Sequence, residues 1–379
     1  MGKSKSNKNN KSGNQLLRTG VVWAILLASL AAVFLLSIAI GSSGYPLPEV
    51  LRGLWDENAG KIRIIVFNLR LPRAVLAIMV GACLSAAGAL LQAVMRNPLA
   101  DPGTIGVSAG AGAAAITILL LFPSLTYSVP LFAFGGAALA CVLIYLLAWK
   151  DGVDPVRIIL SGVAVNSVLG GYNSFLQLQN SDNLSGVLSF MNGSFSGGNW
   201  TQVRVMALYA VVGLVLACLC IRNANALQLG DEMAKNLGIR VNLSRIALSG
   251  VSAFLAAATV SEVGMIGFVG LVAPHIARML VGSDYKVLLP TSILSGSVMV
   301  LLADTVGRSI WPGTEIPVGV MMSVFGGPFS YTCLEREVVS MELEASGIAN
   351  RIRRSCDCQS DGCVNCKKQN TGWKLTWTV

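Results

Sequence analysis

Arg70 and Arg73 stand in "NLRLPRAVLAIMVGA", at the mouth of a long apolar run, and Arg308 stands in "LLADTVGRSIWPGTEIPVG". Guanidinium groups at two separate outer corners suit docking of an acidic partner. They equally suit snorkelling to lipid phosphates, and the pattern alone leaves both readings open.

A second group lies in "ALQLGDEMAKNLGI", residues 226–239. A first short helix runs up to Leu229 and Gly230. Asp231 is then placed to cap a second helix, and Glu232 favours its positive N-terminal end. Met233, Ala234 and Leu237 share one face, and Gly238 ends the helix. Two stubby helices that carry apolar residues into water suit a groove on a soluble partner, or alternatively a lipid surface.

His275, in "GFVGLVAPHIARMLVG", is the chain's only histidine. Without neighbouring ligands it builds no metal site, and bis-histidine haem is excluded. A structural or interfacial role is expected, with Pro274 in a first helical turn. Near the C-terminus Cys356, Cys358, Cys363 and Cys366 form C-x-C-x4-C-x2-C. Four thiolates suffice for zinc or an iron–sulfur cluster, but the spacing matches neither common signature closely. A tail altered by a change of reading frame and largely disordered is the plainer account, so no metal or cofactor is assigned. Gly60-Lys61-Ile62 lacks the spacing and the hydroxyl of a P-loop. No catalytic residue is expected.

The elements that must position these groups follow from composition. The 379 residues are 54% hydrophobic and 12% charged, with a mean hydropathy of +0.65. Soluble chains carry about 25% charged residues. An all-α polytopic membrane protein is expected, with about ten spans near 20–41, 73–95, 103–122, 130–149, 157–177, 201–221, 243–261, 265–281, 287–305 and 316–334. A permease domain over 20–334 then lies between a basic tail, 1–19, and an atypical tail, 335–379. The apolar run from Val21 to Ile40 exceeds a signal-peptide core and is kept as the first span. The 40 glycines fit close helix packing in lipid. Cys83 and Cys141 lie in apolar runs as packing residues, and no disulfide framework is implied.

The net charge of +9 resides largely in the tails, which marks a cytoplasmic flank rather than a nucleic-acid surface. With the N-terminus inside, cytoplasmic loops hold Lys150, Arg157, Arg222, Lys235, Arg240 and Lys286, as the positive-inside bias requires. The outer 42–72 loop breaks that bias with Arg52, Lys61, Arg63 and Arg70, only partly offset by Asp56 and Glu57. "RNPLADPG" is a tight inside turn, since each proline removes a donor and disfavours helix before it. "GTIGVSAGAG" and "GMIGFVGLVAP" share G-x-I-G, a faint sign of repeated halves. Gly162, Asn166 and Gly170 fall on one helical face, which either lines a polar pathway or packs against a neighbour. Ion-coupled carriers place carboxylates within the membrane, whereas spans one to four have none in their cores, and Glu262 and Asp304 lie near span ends.

The run "LRLPRAVLAIMVGACLSAAGALLQAVMRNPLADPGTIGVSAGAG" resembles the signature of FecCD-type permeases, the membrane subunits of ABC importers for iron–siderophore complexes, haem and cobalamin. "LGDEMAKNLG", "GFVGLVAPHIAR" and "LLADTVGR…EIPVGVMMSVFGGPF" are similar to further family blocks in the same order, so the resemblance covers residues 20–329. It implies ten transmembrane helices like those of a cobalamin-importer permease, in a bacterial plasma membrane. It also implies a second permease, identical or related, two ATPase subunits inside and a substrate-binding protein outside. Arg70, Arg73 and Arg308 match positions that meet acidic residues of the binding protein. Leu229, Gly230, Asp231, Glu232, Ala234, Leu237 and Gly238 match the segment that couples to the ATPases. The pathway-lining fifth and tenth helices correspond to 157–177 and 316–334. Gly162, Asn166, Gly170, Pro317 and Gly319 are thereby pathway candidates, and the loop at 149–156 belongs to an inner gate.

The expected function is ATP-driven inward transport of an iron complex, a ferric siderophore first, by alternating access. An ion-coupled secondary transporter is the alternative. A metal-sensing cysteine tail on a membrane anchor is the third reading.

Overall fold

A chain segment in hydrocarbon must satisfy its own backbone polar groups, and a helix does so within one segment. The computed structural model describes residues 3–40, 60–150, 152, 154–180, 184–311 and 315–332, and all regular secondary structure among them is helical. Helix α1 spans Lys3–Ala39. A π-helical turn, Ile64–Arg70, leads directly into α2, Leu71–Met95. Then come α3 (Val107–Leu121), α4 (Val129–Ala148), α5 (Pro155–Gln179) and the short α6 (Leu184–Asn192). Helix α7 (Trp200–Leu219) is followed by the stubs α8 (Ile221–Gln228) and α9 (Asp231–Asn236). Helices α10 (Val241–Val263), α11 (Val269–Val281), α12 (Tyr285–Gly307) and α13 (318–332) complete the order. The basic stretch before residue 20 extends α1 rather than preceding it; it contains no proline, and adding turns to an existing helix costs little. The compact body runs to Ser330. The cysteine cluster at 356–366 and the loop residues Arg52, Asp56 and Glu57 lie outside the described residues.

Among the described residues, seven helical runs are long and apolar enough to cross a membrane. Helices α3 and α11, of 15 and 13 residues, are shorter and apolar. At 1.5 Å per residue they extend only about 22 and 20 Å, less than the hydrocarbon thickness. Helix α13 lies where the tenth crossing is expected.

The two short helices explain the G-x-I-G echo. "GTIG" ends on Gly106, the N-cap of α3, at φ 73°. "GMIG" ends one residue before Phe268, the N-cap of α11, at φ 67°. Both crossings therefore start inside the bundle after a left-handed residue. The two starts also meet each other: a Cβ on Gly270 would lie 2.9 Å from Asp101 Oδ1 and Pro102 Cδ.

Helix α2 is the axis of the fold, almost wholly buried among α12, α10, α11 and α7. Its glycines allow this closeness, because a Cβ on Gly81 would strike the Gly296 carbonyl and one on Gly88 the Gly270 carbonyl. Hydroxyl groups tighten the same contacts. Ser252 Oγ donates to Ala87 O at 2.8 Å, Tyr285 Oη to Ala89 O at 2.6 Å and Ser297 Oγ to Ile78 O at 3.0 Å.

Candidate functional site

At the end of the bundle expected to face outward, α1 terminates with carbonyl groups that lack helical partners. Arg70 Nη1 donates to Ile38 O at 2.7 Å and to Ala39 O at 3.0 Å. Arg308 Nη2 donates to Ser37 Oγ at 2.7 Å and to the Ser37 carbonyl. Two cations thus cap the negative end of the α1 dipole. Arg73 grips Asp304, with Nε 3.0 Å from Oδ2 and Nη2 2.8 Å from Oδ1, while its Nη1 meets Glu315 at 2.8 Å. Arg308 Nε lies 4.0 Å from the second Asp304 oxygen. Burial pushes the Arg308 guanidinium below its usual pKa; Asp304 opposes this, and Arg73 and Arg70 add to it.

The three guanidinium groups expected to meet a binding protein are held within the chain. Arg70 is 6% exposed, Arg308 is buried at its side chain, and the Arg73 fork is filled by two carboxylates. The physical reason is that α12 and the segment before α13 supply the counter-charges, and α1 supplies carbonyl dipoles. Sequence reading missed Asp304 as the hub of this cluster. The available signal was the four-residue spacing of Asp304 and Arg308 on one helix.

At the opposite end, α8 and α9 form the expected pair of stubs. Gly230, at φ 95°, rather than Asp231, is the N-cap of α9. The Asp231 carboxylate instead takes Arg245 of α10 at 2.8 Å and approaches Arg96, just after α2, at 3.6 Å. Gly238, at φ 76°, closes α9: its N–H reaches Lys235 O at 2.9 Å and Ile239 N–H reaches Ala234 O at 3.0 Å. Leu229, Met233 and Leu237 are each more than half exposed, whereas Ala234 is fully buried. The outward face is therefore Leu229, Met233 and Leu237, with Ala234 turned into the body. Glu232 is exposed and Gly230 less so. On α8, Asn225 Nδ2 donates to Asp284 Oδ1 at 2.8 Å and its Oδ1 accepts from Tyr285 N at 2.9 Å. The stubs are thus bonded to α2, α10 and α12 together.

The pathway candidates separate. Gly162 is buried and Asn166 Nδ2 donates to Gly103 O at 3.2 Å, so that part of α5 braces the turn before α3. Gly170 borders open space. Gly319, near the start of α13 and two residues after Pro317, lines a cavity of about 470 Å³ with Asn192 and Met265. His275 stacks edge-on against Phe329 at 5.8 Å. Among the described residues no His, Cys, Asp and Glu group could hold a metal ion.

The model of the FecCD transport family matches residues 29–334. The chain belongs to the FecCD transport family. The match spans the arginine cluster, the paired stubs and α13, and stops before the cysteine tail. Among FecCD relatives, the Fe(3+)-citrate import system permease protein YfmE of Bacillus subtilis is 39% identical over 314 residues, covering 83% of this chain and 94% of that protein. The cobalamin import system permease protein BtuC of Halobacterium salinarum is 40% identical over 278 residues, covering 73% and 75%. A solved inward-facing conformation of an ABC transporter of the metal-chelate type superposes with a TM-score of 0.73 at 28% identity, covering 84% of this chain and 99% of that one. As a FecCD member the chain is a multi-pass transport permease, and its charged clusters tie the bundle at both ends.

Proposed function

We propose that this chain is the membrane subunit of an ABC importer that carries an iron complex, a ferric siderophore or ferric citrate, into a bacterial cell across its plasma membrane. Two permeases, identical or related, enclose the pathway, and two separate ATPase subunits power it. The observation that carries this reading is the exposed apolar face of Leu229, Met233 and Leu237. Three large apolar side chains in water are costly unless a partner covers them, and a groove on an ATPase is such a cover. Because α8 and α9 are bonded to α2, α10 and α12, closure of the ATPases would move these helices as a unit. On α5, Val156, Leu160, Val163, Val168 and Phe175 are exposed, which suits lipid or a second permease.

A substrate-binding protein would dock at the outer corner around Arg73, beside the buried Arg70 and Arg308. Its carboxylates would compete with Glu315, which is 48% exposed at its side chain, for the outer face of Arg73. Cargo choice would rest with that binding protein, in keeping with similar identity to ferric citrate and cobalamin permeases.

The test is uptake of labelled ferric citrate and ferric hydroxamate by vesicles holding the chain with its ATPase and binding protein. Loss of uptake when the ATPase's catalytic carboxylate is neutralised supports the reading. Uptake that survives this change but collapses with the proton gradient would favour an ion-coupled carrier.

A further inference from the structure

A cavity of about 910 Å³ opens at the cytoplasmic end between the turn after α2, the segment before α5, α9 and the start of α10. Six cations line it: Arg96, Lys150, Arg157, Lys235, Arg240 and Arg245. Among the described residues the lining carboxylates are Asp154 and Asp231, so four positive charges stand in excess among them. Both acids are already engaged, Asp231 by two of the six lining cations, Arg245 and Arg96. Asp154 accepts the Val156 N–H at 2.7 Å as the cap of α5, and Asp231 takes Arg245. Lys150, Lys235 and Arg240 have no acidic partner among the described residues.

Backbone polarity adds to this charge. Helix α10 begins at the cavity wall, where Val241, Asn242 and Leu243 line it, and no side chain caps its first turn. The positive end of a 23-residue helix therefore faces the same concavity as the lysines. The positive-inside bias accounts for cations on this side, but it asks only for their number along the loops. It gives no reason for four separate elements to gather them around one hollow in excess of its acids.

We propose that this cavity binds a phosphate-bearing anion, with Lys150, Lys235 and Arg240 as its cationic contacts and the first turn of α10 as its backbone contact. The inference is independent of the cargo and of the ATPase reading. An anion there would bridge α9 to the loop before α5, joining the paired stubs to the inner ends of α5 and α10. The phosphoryl group has two sources, the headgroup of an anionic lipid or a free phosphate.

The experiment uses the full-length chain in nanodiscs. In one arm the discs contain phosphatidylcholine with phosphatidylglycerol, and native mass spectrometry counts the glycerophospholipid retained. In the other they contain phosphatidylcholine alone, and thermal unfolding is followed as inorganic pyrophosphate is titrated. Binding in the first arm alone assigns a lipid headgroup, and binding in the second assigns a free anion; each supports the site. The double change Lys235→Gln with Arg240→Gln should weaken the response about tenfold or more, as loss of charge-assisted contacts implies. Lys235→Arg with Arg240→Lys should keep it. If the double variant does not fold, Lys150→Gln on the opposite rim provides the same comparison. Absence of binding in both arms, or equal binding by the variants, overturns the proposal, including the case where the cavity instead receives carboxylates of a protein partner.

Discussion

Arg73 and Asp304, 231 positions apart, are joined by hydrogen bonds of 3.1, 3.0 and 2.8 Å that lock α2 to α12 beside the end of α1. The carboxylate is 2% exposed and the guanidinium 12%. At this depth the pair is costly to break, because either partner left alone is a buried charge. Asp304→Ala should therefore lower stability by about 3–5 kcal/mol, read as a fall in the unfolding temperature of the purified protein. Arg73→Met with Asp304→Leu should recover part of the loss, since Arg73 is then no longer stranded while Arg308 keeps its Ser37 contacts.

Glu315 occupies the outer side of Arg73 while half exposed. Glu315→Gln should speed association of an acidic binding protein by about two- to tenfold at low salt. Raising ionic strength should erase the gain as the screening length shortens. Association rates from biolayer interferometry across a salt series check both statements.

Met233 and Leu237 are exposed on α9, and Ala234 points inward. Met233→Asp with Leu237→Asp should leave stability within about 0.5 kcal/mol per site and abolish co-purification of the ATPase. Ala234→Leu should do the converse, costing about 1–3 kcal/mol by overpacking. Pull-down yield and unfolding temperature separate the two.

Gly88 and Gly270 stand where α2 and α11 nearly share backbone. Gly88→Ala should destabilise by about 1–3 kcal/mol or prevent assembly of the bundle. Adding Gly270→Ala should cost less than the sum, because both changes push the same helices apart.

Asp284 has its pKa lowered, first by the Lys286 N–H and then by the Asn225 side chain. A lowered folded value contributes stability above the unfolded pKa of about 3.9, lost as pH falls through the folded value. Asp284→Asn should flatten the acid side of the stability curve between about pH 2 and 5, measured by thermal unfolding across buffers.

The spans were legible because hydrocarbon imposes a length and a composition that no tertiary contact can waive. Gly238 as a helix end was equally legible, since a left-handed residue after a polar turn favours glycine. The reading of Asp231 as a cap failed because a carboxylate beside two arginines gains more from them than from a backbone N–H. The share of Ala234 in the outward face failed because a six-residue helix shows its inner side only once packed.

By itself the sequence determined that the chain is a many-span helical membrane protein, where its crossings fall and where its stubs and turns interrupt them. These are local properties of hydropathy and backbone conformation. Only the tertiary structure decided that Arg70 and Arg308 cap α1, that Arg73 holds Asp304, and that two broken helices meet at Gly270. A charge or a small residue has no direction until another helix is beside it, and which helix that is depends on residues far away in the chain.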